Sequence, residues 1–139
     1  MIDFTIPLPP TAKGRPRFGR NGAYTPTKTR VFESAFRLLS RKHAPREMLE
    51  GPLKMEVFFT VKIPKKRPKF PFPITKPDGD NFLKAIFDSM EGVFFKNDSQ
   101  ICDGRFVKLY DVTNSGARIR VLLCKVSESA ITNLEEKYK

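Results

Sequence analysis

Apolar and polar residues alternate at the start of the chain. Ile2, Phe4, Ile6 and Leu8 share one side of "IDFTIPL", which predicts a short first strand. From Thr27 to about Lys42 the period lengthens. Val31, Phe32, Ala35, Phe36, Leu38 and Leu39 recur at helical spacing, with Pro45 beyond the end. "LKMEVFFTVKI" (53–63) is rich in β-formers and alternates again, so it reads as a strand. "NFLKAIFDSME" (81–91) returns to helical spacing, with Phe82, Leu83, Ile86, Phe87 and Met90 facing a core and Gly92 as a natural stop. Two more strands, about 100–110 and 117–126, are joined by "TNSG", which predicts a tight hairpin. The polar tail 127–139 predicts a short helix or a frayed end.

The order β-α-β-α-β-β predicts an α/β fold of the α+β type, with two main helices on a small mixed sheet. A length of 139 residues suits one domain, 1–139, with a single core. No segment nears the roughly 20 apolar residues of a membrane span, and none near Met1 resembles a signal peptide. Cys102 and Cys124 are too few for a disulfide scaffold, so reduced thiols and a cytoplasmic location are expected.

The stretches between these elements carry the charge. There are 26 Lys and Arg against 15 Asp and Glu, a formal net charge of +11, which favours a polyanion such as nucleic acid as partner. One basic loop, 13–30, holds Lys13, Arg15, Arg17, Arg20, Lys28 and Arg30 with no acid. A second, 62–76, carries Lys65, Lys66, Arg67, Lys69 and Lys76 among prolines, which exclude a central strand or regular helix. Phe70 and Phe72 stand among those prolines, either to stack on exposed bases or to pack onto the domain.

Against this basic background, "TKPDGDN" (75–81) places two aspartates one residue apart. Asp80 stands where a helix N-cap belongs, Gly79 lets the backbone turn, and Asp78 projects on a similar side. Lys84 lies one helical turn after Asp80, and Asp88 one turn after Lys84, within reach of an ion pair. Asp98 follows the helix in "GVFFKNDSQ", and the apolar "VFF" is expected to fold the chain back along it. Capping explains the aspartate pair alone. Three carboxylates converging beside a lysine would instead suit Mg²⁺ or Mn²⁺ and phosphodiester chemistry. Asp88, Asp103 and Asp111 are otherwise expected on solvated faces, and His43 to be a charge at a helix end rather than a catalyst. No Ser-His-Asp, Cys-His or zinc set is apparent.

Taken together, "KPDGDNFLKAIFDSMEGVFFKNDSQICDGRFVKLY" resembles the signature region of the RusA family of Holliday junction resolvases. "PLPPTAKGRPRF" and "YTPTKT" are similar to the longer, phage-like branch of that family. The resemblance implies a homodimeric crossover junction endodeoxyribonuclease, dependent on Mg²⁺ or Mn²⁺, that acts on four-way junction DNA in recombination and repair. It implies no membrane and no organic cofactor. By position, Asp78, Asp80 and Asp98 would be the essential, metal-binding acids and Lys84 the catalytic lysine. Two positions depart from the family pattern: Gly79 stands where a bulky apolar residue is common, and Asn97 where many members carry a further Asp. A nucleic-acid-binding protein without catalysis, and a metal nuclease for duplex DNA or RNA, are the competing readings.

Overall fold

In the computed structural model, which describes residues 1–127 and 136–137, four strands form the main sheet. They are β1 (Ile2–Ile6), β4 (Leu53–Val61), β5 (Ile101–Tyr110) and β6 (Arg118–Lys125), in the spatial order β1-β6-β4-β5. β4 pairs antiparallel with β6 and parallel with β5, so the sheet is mixed, as the element order implies. The parallel pair is possible because the intervening chain supplies a crossover helix, α2 (Gly79–Met90). The other helix, α1 (Thr27–Ser40), continues into a 3₁₀ turn, Arg41–His43. The expectation for the tail falls mostly on residues outside those described.

Both helices cover the same face of the sheet. On β4 the buried row is Leu53, Met55, Val57 and Phe59, continued by Ile119, Val121 and Leu123 of β6 and by Phe4 and Ile6 of β1. Phe32 and Phe36 of α1 and Phe82, Ile86 and Met90 of α2 seal that row. Complete burial of such side chains contributes about 1.5–3 kcal/mol each. The opposite face is charged, with the Arg120 guanidinium bonded to both oxygens of Asp3 at 3.0 and 2.7 Å. The period-2 pattern therefore marks the strands correctly. The helical pattern in α1 is wider than its buried stripe: Val31 and Leu38 remain 62% and 72% exposed.

Three expectations need correction. β5 and β6 do not form a hairpin, because β4 lies between them. Residues 111–117 instead step across the end of β4, over two strand spacings or about 10 Å. That path explains a second correction, since Asp111 is buried (7% exposed) rather than on a solvated face. Its carboxylate accepts from the backbone N–H groups of Ser115 and Gly116 and from Arg118, at 2.8–3.1 Å, and so folds the loop. Third, loop 13–30 is partly structured, with Arg17–Gly19 (β2) and Gly22–Tyr24 (β3) pairing around the two residues Arg20 and Asn21. Gly22, at φ +100°, supplies the left-handed conformation that such a turn needs.

Candidate active site

α2 begins two residues earlier than the sequence pattern suggests, so Asp78 rather than Asp80 is its N-cap. The Asp78 carbonyl accepts the N–H groups of Asn81 and Phe82, while its carboxylate makes no capping bond. Asp80 lies in the first turn, where a negative charge is favoured by the helix dipole. Both side chains are exposed. Neither carboxylate has a hydrogen-bond or ion-pair partner among the described residues.

Close packing holds this end of the helix against β5. Gly79 is buried, and a Cβ placed on it would overlap the ring of Phe106. The apolar bulk that Gly79 lacks is thus supplied from β5 by Phe106, paired with Val57 on the helix-facing side. Two residues further along that side, the Lys108 ammonium donates to the carbonyls of Thr75 and Pro77, at 2.8 and 2.9 Å. Lys108 therefore fastens the end of the proline-rich loop directly before Asp78. Nothing local in the sequence marks that role, which depends on the β4–β5 register.

The other half of the site is closed. Phe94 and Phe95 are fully buried, and the Phe94 ring stacks on Phe4 at 5.5 Å, so "VFF" does return the chain to the core. A 3₁₀ turn, Asp98–Gln100, follows, with the Asn97 side chain accepting from Ser99 N–H at 2.9 Å. Asn97 thus has a capping task. Gln100 returns its Oε1 to the N–H of Asn97 and donates to the carbonyls of Leu49 and Gly51. Glu91, at the end of α2, accepts the Asp98 N–H at 3.0 Å.

Lys84 connects the helix to this turn. Its ammonium lies 2.7 Å from Asp98 Oδ2 and 3.2 Å from Asp88 Oδ1. The expected Lys84–Asp88 pair is present, and Asp88 also accepts Lys13, at 3.0 Å. The Asp98 bond, joined by Asp88 and outweighing partial burial, raises the Lys84 ammonium above its ordinary value. Lys84 is therefore a cation at neutral pH, suited to hold negative charge or donate a proton, not to accept one.

The four predicted residues are not all gathered together. Lys84 and Asp98 meet, but among the described residues no three His, Cys, Asp or Glu side chains are close enough to share a metal ion. The chemistry of the donors still fits a hard divalent cation: every candidate is a carboxylate, and Asp78 and Asp80 are exposed with no competing partner.

The basic residues also divide. Arg15, Arg17, Arg20, Lys28, Lys65, Lys66, Arg67, Lys69 and Lys76 are exposed, whereas Lys13 is turned inward to Glu33 and Asp88. Arg15, Arg17 and Lys28 line a cavity of about 490 Å³ together with Pro77, which places it beside Asp78 in the chain. Phe70 and Phe72 are 47% and 53% exposed, and Lys69 lies over the Phe70 ring at 5.7 Å. His43 stacks on Phe4 at 5.0 Å. Among the described residues no helix is long and apolar enough to cross a membrane.

The family model described as Endodeoxyribonuclease RusA matches residues 7–122. A protein of Bacillus subtilis (strain 168), named "Uncharacterized protein YqaN", is 33% identical over 141 residues, covering 91% of this chain and 97% of that protein. With most of its length matched, the chain belongs to the RusA endodeoxyribonuclease family.

Proposed function

We propose that this protein is a structure-selective DNA endonuclease that resolves four-way junctions by paired, symmetric nicks. The observation that carries the reading is the exposed, unpartnered Asp78 and Asp80 at the start of the helix whose Lys84 pairs with Asp98, in a member of this nuclease family. Asp78, Asp80 and Asp98 are the residues that would hold Mg²⁺ or Mn²⁺. Such an ion, when bound, polarises the phosphodiester and lowers the pKa of attacking water.

The chain's own residues supply the remaining tasks. Lys84 presents a fixed positive charge where negative charge develops on the phosphoryl group. The exposed cations of 13–30 and 62–76 contact phosphates, and each neutralised phosphate steepens the salt dependence of binding. Phe70 and Phe72 offer aromatic faces to unstacked bases at the junction. A homodimer would present two equivalent sites to a substrate that is itself nearly two-fold. The expected setting is the cytoplasm.

The absence of a three-carboxylate cluster among the described residues favours one competing reading, a junction-binding protein that does not cut. Labelled four-way junctions, plain duplex and RNA, each incubated with Mg²⁺ or Mn²⁺, separate the possibilities. Paired nicks confined to the junction support resolution. Binding without cutting under either metal supports the second reading, and equal cutting of duplex or RNA rejects selectivity.

A further inference from the structure

Lys13 stands at the head of a run of exposed cations, and its sequence context marks it as one more phosphate contact. Its surroundings assign it differently. The Lys13 ammonium donates to Glu33 Oε1 at 2.7 Å and lies 3.0 Å from Asp88 Oδ2. Its backbone N–H donates to the carbonyl of Asn81, at 3.0 Å, in the first turn of α2. The next residue, Gly14, donates its N–H to the buried Thr29 hydroxyl at 2.9 Å, and a Cβ on Gly14 would lie 2.7 Å from that same oxygen. The segment is thus docked between the two helices, and exposure begins only at Arg15.

Asp88 is the link between Lys13 and the site. Its two oxygens are divided, Oδ2 to Lys13 and Oδ1 to Lys84, while Lys84 keeps a shorter contact with Asp98. The resulting line Glu33–Lys13–Asp88–Lys84–Asp98 alternates in sign across α1, the N-terminal loop, α2 and the turn before β5. If Lys13 loses its charge, one Asp88 oxygen is left without a partner. Lys84, already 3.2 Å from the other oxygen of Asp88, would then be drawn from Asp98 toward Asp88.

We propose that Lys13 is a positioning residue for Lys84: by occupying one oxygen of Asp88, it leaves Lys84 directed at Asp98. This rests on Lys84 belonging to the cutting site, but the arrangement of the pairs stands without it. The proposal separates Lys13 from Arg15 and Arg17, two and four residues later, which face the basic cavity and remain phosphate contacts. The uniform positive charge of the loop thus conceals two tasks, one directed to DNA and one to the protein interior.

The test compares wild type, Lys13→Gln and Lys13→Arg on a labelled four-way junction, measuring kcat, KM and the salt dependence of binding. Lys13→Gln is expected to lower kcat by about 10- to 100-fold, the scale of a small misplacement of a reacting group. Junction affinity and its salt slope stay at wild-type values, and Lys13→Arg recovers most of the rate. An unchanged kcat with a salt slope lowered by about one unit marks Lys13 as a phosphate contact and overturns the proposal.

A second measurement keeps the proposal separable from the nuclease reading. In urea unfolding, Lys13→Gln and Lys84→Gln together are expected to cost more than the sum of the two alone, because each lysine can partly replace the other on Asp88. That excess should vanish in an Asp88→Asn background. Additive effects, or an excess that survives Asp88→Asn, overturn the proposal even if no DNA is cut. Failure of wild type to cut any junction, with the coupling present, rejects the nuclease reading alone.

Discussion

The two halves of the acidic site are held in opposite ways. Asp98 is fixed from three sides: its carboxylate takes Lys84, its N–H goes to Glu91, and Asn97 and Gln100 brace its turn. Asp78 and Asp80 have a fixed backbone, set by Gly79 against Phe106 and by Lys108 on the preceding carbonyls, but carboxylates without partners. The closed half already satisfies its charge within the chain. The open half keeps its oxygens available on a rigid helix end, which is what a ligand-binding carboxylate requires. Preorganisation here lies in the backbone of one half and in the side chains of the other.

The largest expected effect comes from neutralising the open half. Asp78→Asn should lower junction cleavage by about a thousandfold or more, on the scale of losing a transition-state electrostatic contact. Its melting temperature should stay near that of wild type, since no internal bond is lost. Equal losses of activity and stability would mean that Asp78 is structural after all.

Neutralising the closed half should do less to activity and more to the fold. Lys84→Met removes the cation from Asp98 and Asp88, so cleavage should fall by about 100-fold. The folding cost should stay below about 1 kcal/mol, because Lys84 is half-exposed and such pairs are screened. Urea denaturation beside single-turnover cleavage measures both.

Gly79→Ala sharpens the comparison by displacing the open half without touching a charge. The added methyl meets the Phe106 ring, which should cost about 1–3 kcal/mol as overpacking and reduce cleavage as Asp78 and Asp80 shift. Phe106→Leu in the same chain should recover part of both. Recovery of neither would show that the Gly79–Phe106 contact does not position the acids.

The smallest effects concern pH. At Asp111 burial raises the carboxyl, but the bonds from Gly116, Arg118 and Ser115 outweigh it and leave the group below its usual value. Its stabilisation is therefore present above about pH 4, the unfolded value, and is lost as pH falls through the lower folded one. Asp111→Asn should lower the melting temperature at pH 7, with the gap to wild type closing in acid. Lys84, raised by Asp98, has the opposite sign. Its contribution is full below about pH 10.4 and fades as pH rises through the raised folded value. In metal-free buffer, Lys84→Met and wild type should therefore differ by a constant amount between pH 6 and 9.

Local pattern carried much of this. α2, its acids, Lys84 and the return through "VFF" follow from helical spacing and from apolar residues next to a turn signal. What escaped depends on partners far along the chain. The insertion of β4 between β5 and β6 is a choice of sheet neighbours, which alternation within a strand does not encode. Asp111 reads as a surface acid until the crossing of β4 buries it. Lys13 reads as a DNA contact until Glu33 and Asp88, 20 and 75 residues away, draw it inward. The shift of the N-cap from Asp80 to Asp78 is smaller, and Gly79 explains it, because only a residue without a side chain fits beside Phe106 as the first helical position.

In the proposed reading, the open acids at the start of α2 perform the cutting and the basic loops perform the binding. One experiment addresses both halves: a labelled four-way junction incubated with Mg²⁺ or Mn²⁺ and either wild type or Asp80→Asn, with cleavage and binding measured on the same samples. Paired symmetric nicks by wild type, lost in Asp80→Asn while junction binding is retained, are the expected result. Cleavage that survives unchanged in Asp80→Asn would contradict the assignment of the site.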